Sequence, residues 1–319
     1  MRLQDIDHIG ILGAGLMGPG IAQAFSSAGY RVKIFDKDPA ARSTVKNRMA
    51  SNFNAFINLN LASPEDRERC LENVSVATSI KILCDGPQVL IEAISEDLEV
   101  KRTVYGQMEK CTPTDTILTS NTSALSITTI SEALKHKTRF LGTHFWNPPQ
   151  IIPCVEVIMG AFTEEEIFET VYSLMEKIKK VPVRVRKDIP GFLGNRLQHA
   201  MWREAIALKE KNIASAEDID KVVKYGFGVR MPFIGPLETA DLAGLALTFD
   251  IQKYLFPYLE SSPAPSPALK DLVCGGATGT NAGHGFYDWT PEKIRQLIQQ
   301  RDTVLLRIIY EIIAEIKQV

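Results

Sequence analysis

The run Ile9-Gly10-Ile11-Leu12-Gly13-Ala14-Gly15-Leu16-Met17-Gly18 constrains the fold of this 319-residue chain more than any other segment. A short apolar run leads directly into three glycines, and a segment of helical periodicity follows as far as Gly29. In a strand-turn-helix of this kind the first glycine permits a tight turn and the second lets a pyrophosphate approach the backbone. The third allows close helix-strand packing, with the anion at the helix N-terminus. Pro19 falls in the first turn, where an N–H is dispensable. Asp36 closes the next apolar run, Arg31 to Asp36. A carboxylate there accepts hydrogen bonds from ribose hydroxyls and repels a 2′-phosphate, which favours NAD over NADP. The expected cofactor-binding residues are therefore Gly13, Gly15, Leu16, Met17, Gly18 and Asp36.

Short apolar runs continue along the first part of the chain at His8–Leu12, Val32–Asp36, Val74–Ala77, Val89–Ile94, Ile117–Thr119 and Phe140–Thr143, separated by helix-length segments. That alternation predicts a mostly parallel α/β sheet with crossover helices. After Asp188-Ile189-Pro190-Gly191 the period changes, and Leu193, Leu197, Ala200, Met201, Ala205 and Leu208 recur at helical spacing. The expected architecture is an N-terminal Rossmann-type dinucleotide-binding domain over 1–187 and an all-helical substrate and dimerisation domain over 188–319. Ser261–Pro267 and Gly275–Gly285 read as loops between helices. From Thr290 the apolar positions Ile294, Leu297, Ile298, Val304, Leu305, Ile308, Ile309, Ile312, Ile313 and Ile316 predict one terminal helix whose broad face packs internally or against a second subunit, with a homodimer favoured.

Lys and Arg total 36 against 38 Asp and Glu, so no charge excess exists to track nucleic acid or an anionic membrane. Cys70, Cys84, Cys111, Cys154 and Cys274 are widely spaced and form no CxxC or Cys/His cluster, which predicts reduced thiols and no metal site. With neither a signal-peptide pattern nor a long apolar run at hand, the expected setting is cytoplasmic.

Oxidation of an alcohol by NAD requires a base for the hydroxyl proton, and imidazole titrates nearest neutral pH. Of five histidines, His8 precedes the first strand, His136 lies in a basic cluster, His199 in an amphipathic helix and His284 in a glycine loop. His144 instead closes the run Arg139–Thr143, on the sheet edge where open α/β folds bind ligands. Glu156 lies among apolar neighbours and needs a partner, which an imidazole would supply. Spacing alone leaves a core histidine and an ordinary edge glutamate as the alternative.

Several motifs in order resemble the 3-hydroxyacyl-CoA dehydrogenase family: the glycine turn, Ser120-Asn121-Thr122-Ser123, Gly142-Thr143-His144-Phe145-Trp146-Asn147-Pro148-Pro149, Val155-Glu156-Val157 and Asp188 to Arg196. Gly283-His284-Gly285-Phe286-Tyr287 resembles its closing motif. The resemblance implies a bilobal NAD-dependent dehydrogenase in which His144 is the general base and Glu156 orients it. It further implies that Ser123 and Asn195 hydrogen-bond the substrate oxygen, that Asn147 holds the same pocket together, and that Glu96 and Lys101 approach the nicotinamide side of the cofactor.

Departures concentrate where the substrate tail should bind. Pro148-Pro149-Gln150-Ile151-Ile152-Pro153 and Gly235-Pro236-Leu237-Glu238-Thr239 resemble the gulonate dehydrogenase and λ-crystallin branch, and the segment from Ala40 to Asn73 is poor in lysine for a CoA clamp, although Arg42, Lys46 and Arg48 offer a local patch. Three readings follow. A 3-hydroxyacyl-CoA dehydrogenase of fatty acid metabolism is preferred. A dehydrogenase of a small free acid of gulonate, carnitine or pyridine-carboxylate type comes second, and a non-catalytic crystallin-like protein third.

Overall fold

The computed structural model describes residues 1–313, with side chains described through Tyr310. Ile316 of the expected terminal face lies outside the described residues, as do the side chains of Ile312 and Ile313. Eight strands form one sheet: β1 (His8–Leu12), β2 (Arg31–Phe35), β3 (Val74–Val76), β4 (Val89–Glu92), β5 (Ile117–Ser120), β6 (Phe140–Phe145), β7 (Cys154–Ile158) and β8 (Val181–Val185). Their order is β3-β2-β1-β4-β5-β6-β7-β8. All neighbours run parallel except β6 and β7. The chain reverses its direction of travel across the sheet between β1 and β4, which is the crevice where doubly wound folds bind dinucleotides.

Helix α1 (Gly18–Ser27) connects β1 to β2, and α2 (Pro39–Asn58) with α3 (Pro64–Glu72) forms the excursion before β3. Each of the latter two starts with proline just inside a side-chain cap: Asp38 accepts from the Ala40 N–H, and Ser63 from the Asp66 N–H. Helices α4 (Ile80–Cys84), α5 (Leu98–Cys111), α6 (Ile127–Ser131) and α7 (Glu165–Lys177) complete the crossovers. One apolar cluster joins Ile9, Ile11, Val32 and Ile34 to Phe25, Met49 and Phe168, while another joins Leu12, Leu90 and Leu118 to Tyr105, Met108 and Ile130. Central strands covered on both sides are buried along their whole length, which is why they read as continuous apolar runs.

Strands β7 and β8 stand beyond the six runs that the sequence predicts. In β8 the run Val181-Pro182-Val183-Arg184-Val185 carries a proline and a charge, as an edge strand tolerates. It is the last strand of the sheet.

Contacts divide the chain into two units, Met1–Asn195 together with Ile298–Val319, and Arg196–Leu297. By contacts the division falls at Asn195, and the chain from Ile298 groups with the first unit. The cause is packing: Leu306 is fully buried with Phe56 and Ile151, Leu305 and Ile309 pack on the same cluster, and the Phe56 and Tyr310 rings meet edge to face at 6.3 Å. The second unit is built of α8 (Gly194–Glu210) from Arg196 onward, α9 (Ala216–Tyr225), α10 (Pro236–Ala243), α11 (Leu245–Leu255), α12 (Pro267–Cys274) and the start of α13 (Pro291–Arg307). No helix is long and apolar enough to cross a membrane, and no cluster of three or more potential metal ligands is present, both among the described residues.

Candidate active site

The glycine turn is held from several sides. Gly13 has φ +110°, donates to the Phe35 carbonyl at 2.7 Å, and leaves no room for a Cβ, which would lie 2.4 Å from the Ala93 oxygen. A Cβ on Gly18 would lie 1.9 Å from the Gly13 oxygen, so strand and helix meet as close as backbone allows. Gly15 differs, because nothing lies within 4 Å of its Cβ position and Leu16 beside it is exposed. Met17, the residue before α1, offers no side-chain cap, so the first amides of the helix are left for an anion. These features fit the pyrophosphate of NAD. The Asp36 carboxylate accepts from the Ala14 N–H at 2.7 Å and the Asp38 N–H at 2.9 Å, which fixes it at the end of β2 beside the turn.

His144 and Glu156 are Cα partners across the antiparallel β6 and β7 pair. Their side chains therefore point to the same side, and His144 Nδ1 lies 2.7 Å from Glu156 Oε2. The other carboxylate oxygen accepts from the Leu193 N–H at 2.9 Å and the Gly194 N–H at 3.0 Å. Burial acts to raise the Glu156 pKa, but the bond to His144 and the two backbone amides outweigh it and hold the carboxyl below its ordinary range. An ionised Glu156 places the imidazole proton on Nδ1 and leaves Nε2 as the proton acceptor. Trp146 and Phe192 flank the imidazole, with ring centroids 5.0 and 5.9 Å away. The Trp146 ring fits only because residue 194 is glycine, since a Cβ there would lie 2.1 Å from its Cζ2.

Ser123 follows the end of β5, next to the strand that carries His144. Asn195 Nδ2 donates to the Ser123 carbonyl at 2.7 Å, so these two expected residues are in contact. Glu96 Oε1 gathers the Ser123 and Ala124 N–H groups at 2.9 and 3.0 Å and the Thr122 hydroxyl at 2.6 Å. Burial works against its ionisation, but those bonds and the Lys101 charge hold its pKa below the usual value. Lys101 is 1% exposed and lies 2.6 Å from Glu92 Oε1 and 3.5 Å from Glu96 Oε2. The structure thus joins Glu96 and Lys101 to the loop bearing Ser123. Asn147 is exposed at the start of the β6–β7 connection.

The profile of the 3-hydroxyacyl-CoA dehydrogenase NAD-binding domain matches residues 8–189, and that of the family's C-terminal domain matches 191–289. The chain belongs to the 3-hydroxyacyl-CoA dehydrogenase family. It is 31% identical to a 5-formyl-3-hydroxy-2-methylpyridine 4-carboxylate 5-dehydrogenase of Mesorhizobium japonicum, over 95% of this chain and 97% of that one. Among solved structures it resembles a 5-formyl-3-hydroxy-2-methylpyridine 4-carboxylic acid 5-dehydrogenase described as an NAD+-dependent dismutase, with a TM-score of 0.89, 31% identity and coverage of 96% and 99%. It also resembles the (S)-3-hydroxybutyryl-CoA dehydrogenase of Ralstonia eutropha, with a TM-score of 0.74, 32% identity and coverage of 89% and 99%.

As a member of this family the protein is an NAD-dependent oxidoreductase acting on CH–OH groups. Two residues of this dehydrogenase's site have roles that the sequence does not give: Glu92, which is not among the expected residues, and Arg48, which is expected only as part of a phosphate patch. Glu92, fully buried at the end of β4, accepts from Lys101, from the Ser120 hydroxyl at 2.7 Å, from the Tyr105 hydroxyl at 3.2 Å and from the Ile94 N–H at 2.8 Å. An acid inside an apolar strand was a visible signal, of the kind that singled out Glu156. Arg48 donates to the carbonyls of Ala14 and Gly15, both at 2.7 Å, and sets a cation beside the turn. It is half-buried on α2, and no periodic signal marks it.

Two outcomes are expected. Asp36→Ala relaxes the preference for NAD over NADP, read from kcat/KM with each cofactor; undiminished discrimination would place the ribose reader elsewhere. Because the Glu156 pKa is depressed in the folded state, its stabilisation is present above the ordinary carboxylate value of about 4.3 and is lost as pH falls through the lower folded value. The Tm gap between wild type and Glu156→Gln therefore narrows from about pH 5 downward, and a gap independent of pH contradicts the ionised pair.

Proposed function

We propose that this dehydrogenase interconverts the alcohol and carbonyl forms of a small free carboxylate, of hydroxy-acid or pyridine-carboxylate type, rather than a CoA thioester. The observation that carries this reading is how the cations of α2 are used. A CoA moiety brings several phosphate charges that need cationic partners. Arg48 is occupied by the Ala14 and Gly15 carbonyls, and Arg42 by those of Asp36 and Lys37 at 2.7 and 3.3 Å. Of the three cations of α2, Lys46 alone is not already bound to backbone carbonyls. The higher TM-score to the pyridine-carboxylate dehydrogenase than to the CoA enzyme supports the same substrate class.

In this reading His144 Nε2 accepts the substrate hydroxyl proton, and ionised Glu156 stabilises the imidazolium that results. The Ser123 hydroxyl and the second Nδ2 proton of Asn195 hydrogen-bond the substrate oxygen as charge builds on it. Glu96 holds the Ser123 backbone in place for that task, and Asn147 lines the same pocket. Trp146 and Phe192 exclude water from one side of the imidazole. NAD, when bound at the glycine turn, supplies the hydride acceptor.

The helical unit pairs with a second copy. Helices α9, α10, α11 and α12 bury none of their residues, while Tyr225, Leu237 and Leu242 are 81, 81 and 79% exposed and Leu245, Phe249 and Tyr254 also face outward. An apolar surface of this extent marks an interface.

Nicotinamide absorbance with NAD, against gulonate, carnitine, pyridine-carboxylate aldehydes, acetoacetyl-CoA and 3-hydroxybutyryl-CoA, tests the substrate class. Turnover of the free acids is expected. Turnover of the thioesters alone would restore the CoA reading, and silence across the panel would favour a non-catalytic role. On the active substrate His144→Gln lowers kcat by ~10²–10⁴-fold while NAD still binds. Light scattering is expected to give twice the 35.4 kDa chain mass, and Leu242→Glu combined with Phe249→Glu to give a monomer; a monomeric wild type refutes the pairing.

A further inference from the structure

Lys180 precedes β8 and is 7% exposed, yet its ammonium has no carboxylate partner among the described residues. Its Nζ donates instead to two backbone carbonyls, of Pro149 at 2.6 Å and of Ile152 at 2.9 Å. Both belong to the segment that joins β6 to β7. Those carbonyls close a tight turn in which the Ile151 and Ile152 N–H groups donate to the Pro148 oxygen, at 3.0 and 2.9 Å. From the other side the turn rests on α1, since a Cβ on Gly20 would lie 2.6 Å from Pro149 Cγ and 2.4 Å from Gln150 Oε1. The backbone of Lys180 and Val181 closes the arrangement, donating to the Met175 carbonyl at 3.0 Å and the Pro153 carbonyl at 2.9 Å.

We infer that Lys180 is a positioning residue for the His144–Glu156 pair, because its ammonium sets the β6–β7 connection and hence the register in which the two side chains meet. The inference rests on that pair being the proton-transfer machinery of the proposed function, although its test needs no substrate. A 2.7 Å bond between residues on two strands depends on how the strands are joined. Starting from β6, the connection leads from Phe145 through Asn147 to the turn that Lys180 grips, and enters β7 two residues before Glu156. Burial pushes the lysine pKa down to about 8, so holding the charge here costs stability at neutral pH. A methionine would fill the same volume without that cost, and buried ions can commonly be replaced by apolar residues with little loss. Positional control gives the cation a reason to be there that packing does not.

The test reads the downfield proton resonance of the His144 Nδ1–H bonded to Glu156, in the full chain with NAD, assigned by its absence in His144→Gln. In Lys180→Met the resonance is expected to shift or disappear through exchange while NAD affinity is unchanged, and Lys180→Arg, which keeps charge and donors, restores it. A lysine that merely packs would lower Tm and leave the resonance where it was; that result in folded Lys180→Met overturns the inference. Should Lys180→Met fail to fold, Lys180→Gln is read in its place, and an unaltered resonance there overturns it equally.

Discussion

The antiparallel pairing of β6 with β7 is the constraint on which the rest of the site depends. Elsewhere the sheet is parallel, and parallel neighbours are joined by long crossovers whose ends are set by helix packing. A direct reversal instead places His144 opposite Glu156 by hydrogen-bond register. A carboxylate in that position would be costly alone. It is tolerated because three donors reach it, the imidazole and the amides of Leu193 and Gly194. Those amides stand where the chain leaves β8 and enters α8, so the same carboxylate that orients the histidine also fixes the start of that helix. Gly194 serves twice, with its amide for Glu156 and its missing side chain for Trp146.

A second buried network stands beside the first and follows similar electrostatics. Lys101 lies between Glu92, with which it is fully buried, and Glu96, whose other oxygen gathers the amides after Thr122. Buried charges persist where each lone pair finds a donor. Here the satisfied network leads from a central strand outward to the loop holding Ser123, and Asn195 closes on that loop from the first turn of α8. The side chains expected to meet the substrate oxygen are thus set by backbone bonds from two directions. Asn121 ties the neighbouring strand ends as well, accepting from the Phe145 N–H at 2.8 Å.

Cations have a further use in this chain as braces for backbone carbonyls. Arg48 holds the glycine turn, Arg42 the end of β2, and Lys180 the β6–β7 connection. A group braced in this way is held at the cofactor loop and is less free to reach out to a distant phosphate, which links the rigidity of that loop to the proposed preference for a small acid. In the helical unit almost no residue is buried, so its amphipathic helices have faces that one copy of the chain does not cover.

The amino-acid sequence by itself determined the dinucleotide turn, the parallel strands that follow it and the change to helices after Gly191, because each is written in local patterns of glycine spacing or apolar period. It also singled out His144 and Glu156, and family motifs joined Ser123 and Asn195 to them. The edge strand β8 was illegible, since its proline and arginine break the apolar run that marked the inner strands. Terminal-helix residues Leu305, Leu306 and Ile309 carry an apolar signal that does not name its partner, and only the fold sets them against Phe56 and Ile151. Tertiary structure likewise decided where the charges went. Glu92 is visible as an acid inside an apolar run, whereas Arg48 and Lys180 look like any other base along the chain; the roles of all three arise from carbonyls and hydroxyls far away in sequence, which local pattern cannot encode because it records the side chain and not what the fold brings to meet it.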